Sequence, residues 1–425
     1  MIDAGAIGTW RARSTADRLV ALDGERLAVA ATAVAVALLP LLVPRGPANL
    51  GPIDALMAIG VFACLFWAGS SRHRWRFAYA VPMALFIAAG ALGALVGPVP
   101  GLGLVAIGQD IFLLVWCWAV VNISHSPSAL RVLLKSWAYS SIVWGVLLFV
   151  GVFTGTSFLS GHSASEGKRT ALTFGDPNIS ANYYFISIMI IWASRCPRHR
   201  GLRLAAYALL LMALISTGSN SGIVSLIVGV GITSIVAVYR RAGIVPATTA
   251  FAFVVLGGYL AVANVSVTGI QDRASASRYA FIRDGIGRGD VSVAQRSILL
   301  NESIPLYENG SPLGEGPVST KARLEQEMAP FVKEAHDDYL AALVERGALG
   351  FAALLLLGLG LAARTTFLAG TRLRNGFDAV VVKPHALVGA LAGTIVAGTV
   401  YELLHVRHVW TLFAFIAALY IWGRE

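Results

Sequence analysis

The stretch "EAHDDYLAALVERGALGFAALLLLGLGLAA", Glu334 to Ala363, decides how the chain is read. Its first half holds a His, two Asp, a Tyr and a Glu-Arg pair; its second half is almost wholly apolar. Read as one helix from Asp338, the run is long enough to span the roughly 30 Å of a bilayer core. Titratable groups at the mouth of such a helix put chemistry at a membrane surface. Apolar runs of this kind recur over all 425 residues. The chain is 56% hydrophobic and 13% charged, where a soluble protein carries about a quarter charged residues. An all-α polytopic membrane protein is therefore expected.

Twelve candidate spans lie near 27–43, 50–69, 77–97, 101–121, 131–153, 178–193, 202–217, 220–238, 246–267, 338–363, 380–402 and 407–422. Their connections alternate in basicity. "SSRHRWR", the stretch through Arg131 and Lys135, "SRCPRHRGLR", "YRRAG" and "ARTTFLAGTRLR" are rich in Arg or Lys. The others are nearly free of them, apart from Arg45, the Lys168-Arg169 pair and Arg407. The positive-inside rule then makes the basic connections and both termini cytoplasmic. The expected organisation is a cytoplasmic segment 1–26, membrane helices one to nine over 27–267, an extracytoplasmic segment 268–335 and helices ten to twelve over 336–425. So long a loop implies short helices of its own. "VSVAQRSILLNESIPLYEN" reads as one, closed by the turn residues "NGSPLGEGP".

Arg11, Arg13, Arg18 and Arg26 precede the first span, and no small-residue cleavage site follows a short apolar core, so no cleavable signal is expected. Cys64, Cys117 and Cys196 are odd in number and dispersed, which gives neither a disulfide framework nor a metal spacing. No metal or cofactor is expected. The net charge of +10 belongs to cytoplasmic loops rather than to nucleic-acid binding. Gly101-Leu102-Gly103 and Gly358-Leu359-Gly360 lack the strand and spacing of a nucleotide loop and suit close helix packing.

Polar clusters gather on the predicted outer face. "GKRTALTFGDPNISANYY" brings Lys168, Arg169, Asp176, Asn178 and Asn182; "STGSNSG" runs from Ser216 to Gly222 around Asn220. Arg296 lies on the amphipathic helix, and the opening stretch adds His336, Asp337, Asp338, Tyr339, Glu345 and Arg346. Tyr401, Glu402, His405 and Arg407 form a further group. Plainer roles compete: Asp337 and Asp338 suit a helix cap, Asp176-Pro177 an ordinary helix start, Ser219 and Asn220 a turn. Glu345 and Arg346 fall inside a span, where an ionised group costs at least ~2.5 kcal/mol near the centre. His336, with an ordinary pKa of about 6.5, suits proton removal near neutrality. Its helix N-terminus favours anions, and the forked donors of Arg296, Arg169 and Arg407 suit diphosphate oxygens. Such a site fits attack by a hydroxyl on a lipid-diphosphate-linked sugar.

These stretches resemble the O-antigen ligase and O-antigen polymerase superfamily. "AHDDYLAALVERGALG" is similar to its His-(Asn/Ser/Asp)-x-Tyr-Leu…Glu-x-Gly-x-x-Gly signature. "RTALTFGDPNISA" resembles its Arg-x-x-Gly-x-Phe-x-(Asn/Asp)-Pro-Asn helix start, "QRSILL…SPLGEGP" its Arg segment before Pro-Leu-Gly-x-Gly, and "STGSNSGIVSL" its Ser-Arg-Gly start. The four occur in the family's order over roughly 165–350. Two positions depart from the pattern: Asn220 replaces the Arg of Ser-Arg-Gly, and Leu172 replaces a Gly, which implies a less tight turn.

The resemblance implies a GT-C-like, metal-independent, inverting glycosyltransferase in the bacterial inner membrane, with an extracytoplasmic site and no cofactor. Its donor would be a glycan on polyprenyl diphosphate and its acceptor a glycan or lipid hydroxyl; membrane lipids are the other partner. His336 would be the essential histidine, as base or diphosphate ligand, with Asp338 beside it. Arg296, Arg169, Lys168, Asn178, Asn220, Tyr339, Arg346 and Arg407 would bind donor and glycan. A ligase is favoured over a repeat-unit polymerase, which differs only in its acceptor. No paired carboxylates at glycosidase positions call for a covalent intermediate. A transporter would share the span count but should show paired halves and midplane polar groups; a membrane scaffold would carry no chemistry.

Overall fold

The computed structural model describes residues 15–44, 49–71, 73–162, 169–264, 272–278, 283, 298, 301–326 and 337–424, with backbone alone at 15–22, 254–255 and 257–264. A helix stands at each expected position: α1 Thr15–Ala37, α2 Pro52–Ser70, α3 Ala80–Val96, α4 Pro100–Ile123, α5 Pro127–Thr154, α6 Pro177–Ser194, α7 Arg200–Ser216, α8 Asn220–Ala242, α9 Ile244–Asn264, α10 Asp338–Gly370, α11 His385–Gly398 and α12 Arg407–Trp422. Short helices occur at Ser157–Ser160 and Ser319–Gln326, and no β-strand occurs among the described residues. By length and composition, α2, α4, α5, α8 and α10 can cross a membrane; α3, α11, α12 and the first part of α9 are shorter apolar helices.

Local chemistry sets the helix starts. Pro52, Pro100, Pro127 and Pro177 occupy first-turn positions, where a missing N–H costs nothing. Ser126, Asp176, Ser219 and Asp337 cap their helices by accepting from backbone N–H groups. Boundaries differ from expectation most clearly in the first and eleventh runs, and α1 begins at Thr15 rather than near 27. Pro40 ends the first helical run early, and the apolar 38–43 stretch becomes a connector whose Val43 N–H donates to Thr173 O at 2.9 Å. The eleventh run shortens because its flanks bond elsewhere: Lys383 N–H to Ala193 O at 2.9 Å, Leu403 N–H to the Asp338 carboxylate at 2.9–3.0 Å.

Trp116, Trp137, Trp410, Tyr183, Tyr184 and Phe185 fill the bundle interior. Outward positions are also apolar: Phe62, Val81, Leu95 and Phe153 are 70–86% exposed. Large apolar groups turned outward on several helices suit lipid contact, not water. The described connections meet at two ends. One joins 38–44, 49–51, 169–176, 217–219, 310–318 and 399–406; the other joins 73–79, 124–126, 195–199 and 371–384. The described motif residues lie at the first end, and most of the described Arg-rich connections at the second.

The α10 helix is not continuous. Gly347 sits at φ 64, ψ −170, a left-handed backbone that glycine adopts freely. The break separates the turns carrying Tyr339, Glu345 and Arg346 from the apolar helix below. Glu345 and Arg346 therefore lie in the turns ahead of the break, near one end of the candidate span.

Candidate functional site

Two of the motifs meet through backbone and hydroxyl contacts. Arg169 Nε donates to Thr217 O at 2.9 Å, Thr170 N–H donates to Ser216 O at 3.2 Å, and the Thr170 and Ser216 hydroxyls lie 2.8 Å apart. Ser219 Oγ donates to Asn178 Oδ1 at 2.8 Å while capping α8. Asn220 is exposed on the first turn of α8. Asp176 is a cap, accepting from Asn178 N at 2.6 Å and Ile179 N at 3.3 Å. The turn is tight despite its leucine: Leu172 is buried at φ 50. Neighbouring bonds, Ala171 N to Ser160 O at 3.0 Å and Phe174 N to Ala171 O at 3.1 Å, hold it in this costly conformation.

The other motifs meet at the break in α10. With the helix interrupted, the carbonyls of Val344 and Glu345 are free to accept from Glu315 N at 3.2 Å and Gly316 N at 2.8 Å. The "SPLGEGP" loop thus docks as an added turn. A Cβ on Gly314 would fall 2.5 Å from Glu345 O, and one on Gly316 2.8 Å from Ala94 Cα, so the motif's glycines are required by close approach. The Glu345 carboxylate accepts from Val318 N at 2.9 Å and Thr320 Oγ1 at 2.8 Å. Glu315 pairs with Arg323.

Asp337 takes the cap that either aspartate could fill, accepting from Tyr339 N at 2.7 Å and Leu340 N at 3.0 Å. Its pKa is raised by burial, against the two backbone bonds. Asp338 is buried and turns sideways to accept from Leu403 N and Leu404 N. Tyr339 Oη donates to Ile395 O at 3.3 Å. Arg346 pairs with Asp110 at 2.6 Å and lies over the Phe86 ring at 4.0 Å. Arg407 grips both oxygens of Asp54, at 2.9 and 3.0 Å, and donates to Asn49 O at 3.0 Å and His405 O at 3.2 Å. Lys168, Arg296 and His336 lie outside the described residues.

Two cavities open here. One, of about 130 Å³, is lined by Asn49, Gln109, Asp110, Asp338, Glu345, Arg346, Glu402 and His405 among others. Burial, reinforced by Arg407, pushes the His405 imidazole down to about 4, so it is neutral at pH 7. Acidic and amide groups outnumber cations, a lining suited to hydroxyls more than to phosphate. The second cavity, of about 260 Å³, is apolar and runs between α10, α11 and α12 past Leu354, Leu361, Leu391 and Phe413. Asp338 and Leu404 line both.

Residues 205–355 match the family model Wzy_C, O-antigen ligase. The match supports the O-antigen ligase and O-antigen polymerase superfamily, the resemblance carried by the four motifs. It runs from α7 to the upper part of α10, so it takes in Asn220, the broken helix and the docked glycine loop, but not Arg169 or Arg407. No curated protein matches the chain. The Glu-x-Gly stretch that carries the resemblance is here the helix break and its fastening.

Sequence reasoning missed Asp54 and Asp110. The available signal was a lone carboxylate in each of two apolar spans, which requires a cation. It missed His408 as well, whose Nε2 lies 2.9 Å from Asn182 Oδ1 in the bundle interior.

Proposed function

We propose that the chain is a membrane glycosyltransferase of the O-antigen ligase type, acting at the outer face of the bacterial inner membrane with both termini cytoplasmic. It moves a glycan from polyprenyl diphosphate to an acceptor hydroxyl, inverting and without a metal. The observation that carries this reading is the junction at Asp338 of a polar cavity and an apolar groove, within the stretch matched by the family. A donor with a polar glycan and a long apolar tail needs both kinds of surface side by side. The tail lies in the groove between α10, α11 and α12, and glycan hydroxyls face Asn49, Gln109, Asp338, Glu402 and His405. The acidic lining disfavours diphosphate there, so the diphosphate is assigned to Arg169, Lys168 and Arg296 as its ligands.

In the proposed step the acceptor hydroxyl gives its proton to His336. Its oxygen attacks the anomeric carbon, and the bond to the diphosphate oxygen breaks with its electron pair leaving on the lipid diphosphate. Arg296 and Arg169 stabilise that charge; donors aimed at a developing charge contribute about 3–4 kcal/mol each. Asn178, Asn220 and Tyr339 shape the surroundings, while Arg346 and Arg407 act through the elements they fasten.

The test is glycan transfer in membranes carrying His336→Ala or Arg296→Ala. Both should lose transfer while inserting normally; near-normal transfer by an inserted His336→Ala protein removes that residue's role. In a deletion strain, full-length lipid-linked chains should accumulate. Shortened chains instead would assign the repeat-unit polymerase of the same family. Movement of a glycan with no release of polyprenyl diphosphate would point to transport.

A further inference from the structure

At the bundle end opposite this site, a hollow of about 1010 Å³ is lined by Phe367, Thr371, Arg372, Arg374, Asn375, Gly376, Asp378 and Arg424 among others. Three guanidinium groups face one carboxylate, and Asp378 Oδ1 already accepts from Ala379 N at 2.9 Å. The side chains of Arg372 and Arg374 find no hydrogen-bond or carboxylate partner among the described residues. Among the described residues Arg424 donates to Tyr420 Oη at 2.9 Å and lies over that ring at 4.6 Å. Arg364 also lies over the Tyr420 ring, at 5.5 Å, and over Tyr79 at 4.8 Å. Its Nε is buried and unpartnered.

A plainer cause is the negative end of two helix dipoles, since α10 and α12 both finish here. Each C-terminus supplies about half a negative charge. With Asp378, that offsets roughly two of the three guanidinium charges lining the hollow and leaves about one. Glu425 lies outside the described residues and is not counted. The basic connections that mark a cytoplasmic face end at this same place, and the cytoplasmic leaflet carries the anionic lipids that basic pockets between helices recognise.

We propose that this hollow is a second anion site, taking the phosphate of an anionic phospholipid or of a soluble phosphate ester, independent of the transfer reaction. Arg372, Arg374 and Arg424 contact the phosphate, and Phe367 and Tyr420 flank what is attached to it.

The purified full chain is placed in nanodiscs of phosphatidylcholine with increasing phosphatidylglycerol, and bound lipid is counted by native mass spectrometry after release. Inorganic pyrophosphate is titrated separately in detergent. Arg374→Gln with Arg424→Gln is the test variant. Arg241→Gln, a basic residue at the end of α8, is the control. The expected result is retained phosphatidylglycerol that weakens roughly thirty-fold in the double variant, about fivefold per arginine, and is unchanged in the control. Pyrophosphate binding lost in the double variant, with no retained lipid, keeps the site and makes its ligand soluble. Equal weakening in variant and control, or no binding of either probe, overturns the proposal. A folded double variant is verified by its unchanged melting temperature without added anion.

Discussion

Arg346 and Arg407 bear on what a charged motif residue can mean. Each is buried, and each is held by a carboxylate from an earlier helix, Asp110 on α4 and Asp54 on α2. Their charges were legible in the sequence; their partners were not, because no local pattern links residues more than 230 positions apart. Arg346→Ala should therefore destabilise by about 3–5 kcal/mol, since it strands Asp110 without a counter-charge. Arg346→Met with Asp110→Leu should recover much of that loss. Thermal unfolding of the detergent-solubilised protein checks both, and a single variant no less stable than wild type would assign Arg346 a role outside the fold. Leu172 poses a different balance. Replacing it with Gly removes about 1–2 kcal/mol of left-handed strain but gives up a buried side chain worth about 2–5 kcal/mol. Leu172→Gly should lower the melting temperature, even though glycine suits the backbone better.

At the scale of elements, the helix positions were readable because a hydrocarbon-spanning run of apolar residues has few other folds open to it. The break in α10 was not. "VERGALGF" carries good helix formers on both sides of Gly347, and a single glycine costs a helix only about 1 kcal/mol. What interrupts the helix is tertiary: the 310–318 loop offers N–H donors to carbonyls that the break sets free. The glycines of "PLGEGP" were legible as turn residues but not as contact surfaces. Gly347→Ala should be severe. It forces φ 64 on a residue with a Cβ, and that Cβ would lie 2.3 Å from Pro312 O. Either the loop lifts or the helix straightens, and both separate Glu345 from Val318 and Thr320. Glycan transfer in membranes should fall at least about a hundredfold, as for a misplacement of roughly 1 Å, with insertion intact. Full transfer by Gly347→Ala would show that loop docking is irrelevant to the reaction.

Across the whole molecule, both ends carry histidines that the fold keeps neutral. His405 lines the polar cavity at one end, its pKa pushed down to about 4 by burial and then by Arg407. His73, at the other end, is pushed down to about 4 by burial first and then by His125; it lies 5.0 Å from Trp67 and 5.1 Å from Trp75. In the unfolded chain both would titrate near 6.5. Between about 6.5 and 4 the unfolded state binds more protons than the folded one, so stability rises with pH across that window. The contribution is complete above about 6.5 and is lost as pH falls toward 4, of the order of 3 kcal/mol for His405. Asp337, raised by burial, works in the opposite sense at the acidic edge of the window. Asp338, Glu345, Glu402, Asp110 and Arg346 line the same cavity as His405 and Arg407 acts on it, so its replacement must be neutral and of similar size. The melting temperature in detergent should drop between pH 7 and 5. His405→Gln and His73→Gln should each flatten that drop, and together flatten it further, because the two sites are at opposite ends and act additively. A drop of unchanged steepness in the double variant would place the acid sensitivity in carboxylates instead.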